Sequence, residues 1–352
     1  MPGKVPVVLD VDTGIDDALA LLYACASPEL ELLAVTCIGG NVDARQVAEN
    51  TRAVLELAGR KDVPVVLGRE RPLVKRLETS TETHGPRGLG YAELSPASRP
   101  IEPDDAADRI IAVARERPGE VLLVTLGPLT NLAVALEREP TLPRLLGGYV
   151  LMGGVFGAPG NTTPTSEWNI HVDPHAAKQV FARWAMPGEQ TTALPLAMGL
   201  DVTERARFLP EQLRHLAVRA GALPLDAAAA GTEPVRAIGS VAANPMLRFL
   251  VDALRFYFEF HAKYDGFYGA FIHDPFAVAA AIDRSLVRTQ PTFVDVEIGS
   301  GLGHAMTVGD FRGLLRRPPN VDVAREADAD RFMDRFIDRV GGFAARAPGA
   351  AR

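Results

Sequence analysis

Short runs of β-branched and other apolar residues recur through the first half of the chain, and each run ends at Gly, Pro or polar residues. Runs of this length and composition are typical of strands that are buried on both faces of a sheet. The pattern predicts five strands, which are Val5 to Leu9, Leu32 to Ile38, Val63 to Leu67, Val121 to Leu126, and Tyr149 to Met152.

Amphipathic stretches separate these strands. The stretch from Asp16 to Ala26 begins with two acids and stops at a Ser-Pro pair, and the stretch from Asp43 to Ala58 begins at a capping Asp and ends at a Gly. Buried strands that alternate with helices predict an α/β fold, with a mostly parallel central sheet and helices on both faces.

The second half keeps no steady hydrophobic period, and proline interrupts it often between Pro187 and Pro245. We expect extra helices and loops appended to the sheet: a helix from Phe249 to Lys263, one that begins at His273, and a closing helix from Arg325 to Val340. No linker divides the chain, so the sequence predicts a single domain over residues 1–340 and a flexible tail over residues 341–352.

Composition and charge narrow the range of partners. The 352 residues carry a net charge of -7, and phosphate-backbone binding needs clustered cations, so we expect no nucleic-acid partner. No apolar run is long enough to span a bilayer or to form a signal peptide, which predicts no membrane partner and a cytoplasmic location. Cys25 and Cys37 are predicted to be free thiols rather than a disulfide or a zinc site.

Polar residues follow several of the predicted strands. Gly39-Gly40-Asn41 follows the second strand, Gly127 to Asn131 the fourth, and Gly153-Gly154 the fifth. The carboxyl ends of parallel strands meet at one edge of a sheet, and ligands bind beyond that edge. The sequence therefore predicts that these segments converge on one site.

Four carboxylates lie between the first strand and the first helix, at Asp10, Asp12, Asp16 and Asp17. Mutual repulsion raises the pKa of crowded carboxylates unless a cation neutralises them. Oxygen ligands without paired Cys or His favour Ca²⁺ or Mg²⁺ over zinc. Acids at this position also cap helices, an explanation that suits two acids better than four.

The opening motif by itself fits more than one enzyme class. Asp10-Val11-Asp12-Thr13-Gly14 resembles the Asp-x-Asp-x-Thr start of haloacid-dehalogenase-like phosphatases, in which the two acids would be nucleophile and acid/base beside Mg²⁺. A protein that binds nucleosides through calcium without hydrolysing them is a third alternative.

Later segments separate these alternatives. Asp10 to Asp17 is similar to the Asp-x-Asp-x-Gly-x-Asp-Asp signature of the inosine-uridine-preferring nucleoside hydrolase family, and the resemblance continues in order to about Asp310. The segments that carry it are Gly40-Asn41, His84-Gly85, Leu126 to Asn131, Leu151 to Gly154, Asn161, Glu167-Trp168-Asn169 with Asp173-Pro174, and His273-Asp274-Pro275. The resemblance implies a Rossmann-like nucleoside hydrolase fold, a homodimer or homotetramer, and Ca²⁺-dependent hydrolysis of the N-glycosidic bond of small-molecule ribonucleosides.

The family's residue roles can be transferred to matching positions. The resemblance implies that Asp12, Asp17, Asp274 and the main-chain carbonyl of Leu126 bind Ca²⁺. Leu126 stands where several members have Thr, which a backbone ligand tolerates. The implied substrate contacts are Asp16, Asn41, Asn161, Glu167 and Asn169 to the ribose hydroxyls, and Met152 and Trp168 beside the sugar.

The remaining assignments concern the two proton transfers of the reaction and the contacts to the base. Asp12 would accept the proton of the attacking water, and His273 is the predicted proton donor to the departing base. His84 lies in a Gly-rich loop that resembles the family's active-site lid. Candidate stacking partners for the base are Tyr257, Tyr264, Phe267 and Tyr268.

Three positions depart from the family pattern. Thr13 stands for a common Pro, Trp168 for a common Phe, and His304 for a frequent Arg. None of these changes removes a carboxylate, but together they leave the preference for purine or pyrimidine ribosides open.

Overall fold

The computed structural model describes residues 3–184, 193–222 and 243–346. The strands in this part of the chain are β1 Val5–Val11, β2 Leu30–Cys37, β3 Val65–Leu67, β4 Leu122–Thr125, β5 Gly148–Met152, β6 Leu196–Met198, β7 Arg207–Phe208, β8 Ala270–Phe271, β9 Val287–Val296, β10 Thr307–Asp310 and β11 Val321–Ala327.

Helices alternate with most of these strands. In the described residues they are α1 Ile15–Cys25, α2 Ala44–Leu57, α3 Thr81–His84, α4 Ala106–Glu116, α5 Thr130–Arg138, α6 Leu142–Leu145, α7 Trp168–Val172, α8 Pro174–Trp184, α9 Leu200–Thr203, α10 Pro210–Arg219, α11 Pro245–Tyr264, α12 His273–Ile282 and α13 Ala329–Ala344. No described helix is long and apolar enough to cross a membrane.

Within the described ranges, one nine-stranded sheet has the order β10-β9-β11-β6-β5-β4-β1-β2-β3. Strands β11 to β3 in that order are parallel, whereas β9 pairs antiparallel with β11 and β10 antiparallel with β9. Strands β7 and β8 form a separate antiparallel pair. The predicted α/β fold with a mostly parallel sheet is confirmed.

Strand β1 lies at the topological switch point of the sheet. The chain leaves β1 outward through β2 and β3, then returns to β4 on the other side of β1 and moves outward through β5 and β6. Asp10 of β1 is therefore paired with Thr36 of β2 and with Thr125 of β4. A crevice forms at the carboxyl ends of strands where the direction of winding reverses.

Alternate residues of the strands enter two different cores. Val7, Leu9 and Val11 pack with α1, α2 and the C-terminal helices α11 to α13, whereas Val8 packs with α4, α5 and α8 on the opposite face. A sheet covered on both faces buries both sets of side chains, which explains why its strands are nearly continuous apolar runs. Helices on both faces were predicted and are confirmed.

The first half of the sequence predicts the structure closely. All five predicted strands are present, and their ends differ from the prediction by no more than two residues. Helix α2 begins as predicted, because the side chain of Asp43 accepts hydrogen bonds from the N–H groups of Arg45 and Gln46 at 3.1 and 3.0 Å. Local capping and hydrophobic period agree with the fold in this half.

The prediction of only helices and loops for the second half was wrong. Strands β6, β9, β10 and β11 extend the main sheet, and Arg325, predicted to begin the closing helix, lies in β11. β6 is only three residues long, and β9 contains a proline, so neither gives a clear strand pattern. β9 and β11 pair antiparallel, and each has a partly exposed stretch, Arg288 to Pro291 in β9 and Arg325 to Ala327 in β11.

Other predictions for the second half agree with the structure. The helix predicted from Phe249 to Lys263 lies within α11, which begins four residues earlier and ends one residue later, and α12 begins at His273 as predicted. Helix α13 continues beyond its predicted end at Val340 to Ala344, with Gly341 and Ala344 buried; residues 347–352 of the predicted tail lie outside the described residues. Cys25 is half-buried, Cys37 is buried, and both are free thiols.

A stacked aromatic pair joins α12 to α13. Phe332 is fully buried, and its ring is 4.4 Å from that of Phe276 at an interplanar angle of 10°. We expect Phe332→Ala to lower the free energy of unfolding by about 3–5 kcal/mol, because a cavity replaces the ring. Urea denaturation measures this change. Leu302, which is 94% exposed, provides the control: Leu302→Ala should stay within about 0.5 kcal/mol of the wild type, and an equally small effect at Phe332 would contradict the packing.

Candidate active site

The carboxyl ends of the parallel strands open into a cavity of about 700 Å³. Asp12 follows β1, Asn41 follows β2, Leu126 follows β4 and Met152 ends β5, and all four line this cavity. The structure therefore brings sequence-distant segments together over the switch point between β1 and β4.

Asp17 is fixed by the backbone that precedes it. Its Oδ1 accepts the N–H of Asp12 at 3.2 Å, and its Oδ2 accepts the N–H of Gly14 at 2.9 Å. The side-chain amide of Asn41 also donates to Oδ2, at 3.2 Å. Asp17 thus caps the first turn of α1 and is locked in one orientation at the same time.

Asp12 lies in a narrow space between two glycines. Its Oδ2 accepts the N–H of Asn41 at 2.9 Å. A Cβ at Gly40 would collide with the same carboxylate, and a Cβ at Gly127 would lie 2.7 Å from its Oδ1. Only glycine at these two positions leaves room for a carboxylate at the switch point.

A trio of carboxylates comes together beside Asp12. One oxygen each of Asp16, Asp17 and Asp274 lies within 4.8 Å of the others, and all three residues are buried. Asp274 is in the first turn of α12, more than 250 positions along the chain from the other two, so the trio depends on the tertiary fold.

Burial and repulsion raise the pKa values of this group. Loss of hydration raises the pKa of Asp12 and Asp16 well above the usual range, and the charge of Asp17 raises both further. Burial similarly raises the pKa of Asp274, reinforced by the charges of Asp16, Asp17 and Asp12, whereas burial raises that of Asp17 only to about 6. Such a group can be fully ionised at neutral pH only with a compensating cation.

The donor atoms at this point suit a hard divalent cation. The trio offers carboxylate oxygens only. The carbonyl oxygen of Leu126 accepts the side-chain amide of Asn169 at 2.7 Å, and a carbonyl has a second lone pair. Oxygen ligands of this kind bind Ca²⁺ or Mg²⁺ rather than zinc. The carboxylates that lie within 4.8 Å of one another include Asp16 and not Asp12. The family resemblance implied the reverse, with Asp12 as a metal ligand and Asp16 as a contact to the ribose.

Asp10 is not in a position to act as a nucleophile. It is fully buried and does not line the cavity, and its Oδ1 accepts hydrogen bonds from Thr36 Oγ1 at 2.6 Å and Asn131 Nδ2 at 2.8 Å. Burial raises its pKa to about 7. The phosphatase alternative requires this carboxylate to attack phosphorus, and the structure contradicts it.

Glu167 and Asn169 also line the cavity. Glu167 caps α7: its Oε2 accepts the N–H groups of Gly154 and Ile170 at 2.9 and 3.1 Å, and its Oε1 accepts that of Asn169 at 2.8 Å. Burial raises the pKa of Glu167, and these hydrogen bonds oppose the rise. The amide of Asn169 also donates to the carbonyl of Met152 at 3.2 Å.

Asn161 and Trp168 complete this side near solvent. The side-chain oxygen of the exposed Asn161 accepts the N–H of Trp168 at 3.0 Å. The half-buried indole of Trp168 lines the cavity, and its Nε1 has no hydrogen-bond partner within the described residues.

Two buried histidines line the other end of the cavity. His84 closes α3, and its Nδ1 accepts the N–H of Ile15 at 3.1 Å, so the hydrogen of the neutral ring is on Nε2. His273 contacts the hydroxyl of Thr203 through Nδ1 at 2.9 Å. Burial lowers the pKa of each imidazole to about 3. The Gly-rich segment after His84 packs against α11, where a Cβ at Gly90 would be 2.7 Å from Phe256.

Helix α11 provides a wall that the sequence predicted only in part. Tyr257, Phe260, His261 and Tyr264 line the cavity at the spacing of one helical face. Of the aromatic residues considered as stacking partners for the base, Tyr257 and Tyr264 are at the cavity, whereas Phe267 packs on His261 and Tyr268 on Phe258. His261 and the neighbouring Glu204 were missed, and the helical spacing from Tyr257 could have indicated His261.

The structure places the sequence-predicted site residues in one region. Asp17 is in the carboxylate trio, and the others line the cavity itself: Asp12, Asp16, Asn41, His84, Leu126, Met152, Asn161, Glu167, Trp168, Asn169, His273 and Asp274. The lining has a part rich in carboxylates and amides, the polar end, and a part of touching rings, the aromatic end, formed by His84, Tyr257, His261, Phe271 and His273 with Phe260 and Tyr264. The shape and polarity suit a ligand with one polar, hydroxyl-rich part and one flat, aromatic part.

Comparisons with known proteins agree with this geometry. The family model described as inosine-uridine preferring nucleoside hydrolase matches residues 7–334. The chain is 36% identical over 344 residues to the pyrimidine-specific ribonucleoside hydrolase RihA of Enterobacter sp. (strain 638), covering 97% of this chain and 99% of that protein. It is 34% identical over 337 residues to an uncharacterized protein of Schizosaccharomyces pombe, with 95% and 98% covered.

Solved structures show the same fold. A purine-preferring ribonucleoside hydrolase from Gardnerella vaginalis superposes with a TM-score of 0.84 at 30% identity, covering 97% of this chain and 100% of that chain. A plant nucleoside hydrolase superposes with a TM-score of 0.82 at 30% identity, with 96% and 99% covered. The chain therefore belongs to the inosine-uridine preferring nucleoside hydrolase family and is a ribonucleoside hydrolase, which acts on N-glycosyl bonds.

Proposed function

We propose that the chain hydrolyses ribonucleosides with the help of one Ca²⁺ ion held by Asp12, Asp17, Asp274 and the main-chain oxygen of Leu126. The observation that carries the proposal is the approach of Asp16, Asp17 and Asp274 to within 4.8 Å at the switch point of the sheet. Asp12 lies beside this trio and adds to the electrostatic repulsion on Asp274. The oxygen-only donor set supports calcium over a transition metal.

Asp12 is proposed as the base that accepts the proton of the attacking water. Its Oδ2 is engaged by the N–H of Asn41, so Oδ1 is the atom assigned to the proton. Calcium, when bound, would orient this water and lower its pKa. The carboxylates around it stabilise the positive charge that develops on the ribose ring as the bond to the base breaks.

The polar end of the cavity is proposed to bind the sugar. Asp16, Asn41, Asn161, Glu167 and Asn169 are assigned to hydrogen bonds with the ribose hydroxyls. Asn161, Glu167 and Asn169 are fixed by hydrogen bonds to the backbone, and Asn41 by its bond to Asp17, so these four side chains lose little freedom when the sugar binds. The side chains assigned to packing against the sugar are Met152 and Trp168.

The aromatic end is proposed to hold the base. His84 offers an Nε2–H group there, because its Nδ1 accepts the N–H of Ile15. His273, predicted from the sequence as the proton donor, contacts the neutral hydroxyl of Thr203. We assign both histidines to hydrogen bonds with the departing base. The names of relatives include both pyrimidine-specific and purine-preferring enzymes, so neither preference is transferred to this chain.

The family resemblance also supports a homodimer or homotetramer, and the two free cysteines suit a reducing, cytoplasmic setting. Both are proposals. The substrate is a small molecule, and nothing in the assigned residues requires a macromolecular partner.

Calcium removal tests the metal and separates the alternative functions. We expect the enzyme to release free base and ribose from at least one of inosine, uridine, cytidine and adenosine, with no phosphate from a phosphate ester. A chelator should abolish base release, because the carboxylate trio then reverts to a protonated group, and added Ca²⁺ should restore it. Asp274→Asn should weaken calcium binding in titration calorimetry. Full activity in the presence of chelator would contradict the metal assignment.

Substitution of Asp12 tests the proposed base. Asp12→Asn should lower kcat by at least about 100-fold, because an amide cannot accept the proton of water. Asp43→Asn is the matched control: Asp43 caps α2 away from the cavity, and Asn caps a helix as well as Asp does. Steady-state kinetics on the best nucleoside gives both values. Similar kcat values for the two variants would remove Asp12 from the mechanism.

Substitution of His273 tests the contact with the base. His273→Ala should reduce kcat/KM by about 10- to 100-fold, the equivalent of one hydrogen bond of ~1.5–3 kcal/mol to a developing charge. The exposed His215 of α10 supplies the control variant His215→Ala. The role is wrong if inosine and uridine turnover are unchanged in His273→Ala.

A further inference from the structure

His261 differs from His84 and His273 because its Nδ1 atom is paired with a carboxylate. Its Nδ1 lies 2.7 Å from Oδ2 of Asp265, four residues further along at the end of α11. A carboxylate at Nδ1 accepts the hydrogen on that nitrogen and stabilises the imidazolium form. The Nδ1 atoms of His84 and His273 instead contact a backbone N–H and a neutral hydroxyl.

The second nitrogen of His261 has no such partner. The residue is 5% exposed, and Nε2 is buried without a hydrogen bond to any of the described residues. A buried polar atom of this kind costs about 1–3 kcal/mol, so it usually has a ligand or a function. The ring itself lines the proposed base end of the cavity.

Aromatic rings surround the imidazole on several sides. Phe267 stacks on it at 5.5 Å, and the rings of Tyr257, Phe260 and Phe271 lie at 4.7, 5.2 and 5.1 Å. The stacked face of Phe267 attracts a cation and so favours a protonated imidazole, although the enclosure excludes water. The negative charge of Asp265 acts in the same direction.

The charged and titratable neighbours define how His261 titrates. Burial lowers the pKa of His261 below its usual value, and the hydrogen bond and the charge of Asp265 oppose this shift. His84 and His273 face it from α3 and α12, and the guanidinium of Arg207 lies over Phe267 and Phe271 behind it. The hydroxyl of Tyr257 is on the same helix, and the carboxyl of Glu204, whose pKa burial raises to about 7, is near Asp265. Among the three imidazoles, His261 alone is paired with a carboxylate.

We propose that His261, held by Asp265, is the proton donor to the departing base. The inference rests on the proposed function of the cavity, because it requires the base to occupy the aromatic end. His261 is a proton source, whereas His84 and His273 contribute hydrogen bonds without a net charge.

The atoms and electrons of this step balance. The N-glycosidic bond breaks, and its electron pair goes to the base, which takes the proton from Nε2 of His261. The hydroxyl of water bonds to the anomeric carbon, and the other proton of that water goes to Asp12. His261 then regains a proton from solvent and Asp12 loses one, so the net reaction is nucleoside plus water to base plus ribose.

The experiment compares leaving groups that do and do not need a proton. Uridine and inosine release a base that is a poor anion, whereas 4-nitrophenyl β-D-riboside releases a stable phenolate. Wild type, His261→Gln, Asp265→Asn and the control His215→Gln are assayed with saturating Ca²⁺ over about pH 5 to 9, the range in which histidine titrates.

We expect His261→Gln to lower kcat on both nucleosides by about 100-fold or more and to change kcat on the aryl riboside by less than about threefold. In the wild type, kcat on nucleosides should fall as pH rises, because the donor loses its proton. Asp265→Asn keeps an oxygen near Nδ1 but removes the charge, so this fall should move to lower pH. His215→Gln should match the wild type.

Two results would overturn the inference. Equal losses on nucleosides and aryl riboside would mean that His261 only shapes the cavity, and unchanged nucleoside turnover in His261→Gln would mean that it has no part in the reaction. A wild-type enzyme that cleaves neither type of substrate would contradict the proposed function itself. The two failures are therefore distinguishable.

Discussion

Repulsion among buried carboxylates is the constraint on which the site depends. Asp12, Asp16, Asp17 and Asp274 lie within one small volume, and burial together with neighbouring charges raises the pKa of each. Among the described residues that line the cavity there is no Lys or Arg side chain. Backbone N–H groups and the amide of Asn41 stabilise part of the charge, and a divalent cation would stabilise the rest. The proposed binding of a cation would therefore depend on the folded state, in which these carboxylates are brought together.

The sheet makes the arrangement geometrically feasible. Neighbouring parallel strands lie about 4.8 Å apart, so residues at the ends of β1, β2 and β4 reach a common centre without long loops. Gly40 and Gly127 leave the space that Asp12 occupies, because a side chain at either position would overlap its carboxylate. Asp274 then approaches from the first turn of α12, which packs on α1. A single carboxylate from the second half of the chain thus completes a centre built by the first half.

The sequence predicts those parts of the structure in which local pattern and tertiary position agree. The strands from β1 to β5 are apolar because both faces are buried, and the carboxylates after β1 lie where a parallel sheet brings ligands. The prediction fails where the position of a segment in the fold is not reflected in its residue pattern. β11 contains Arg325 and Glu326 because that end of the strand is exposed, and these charged residues led to the prediction of a helix. His261 was missed because its importance comes from a cavity and from Asp265, and neither can be read from a single histidine in an amphipathic helix.

The two ends of the cavity are built by different kinds of element. The carboxylate end is formed by the strand ends of the main sheet and by first turns of helices, which two cores hold in place. The aromatic end is formed by α3, by one face of α11 and by Phe271 of the small sheet, and these elements are joined to the main sheet by packing rather than by strand pairing. Substitutions on α11 can therefore change the contacts to the base without moving Asp12 or Asp17. The His261–Asp265 pair lies on this wall, so the elements proposed to recognise the base also carry the group proposed as its proton donor.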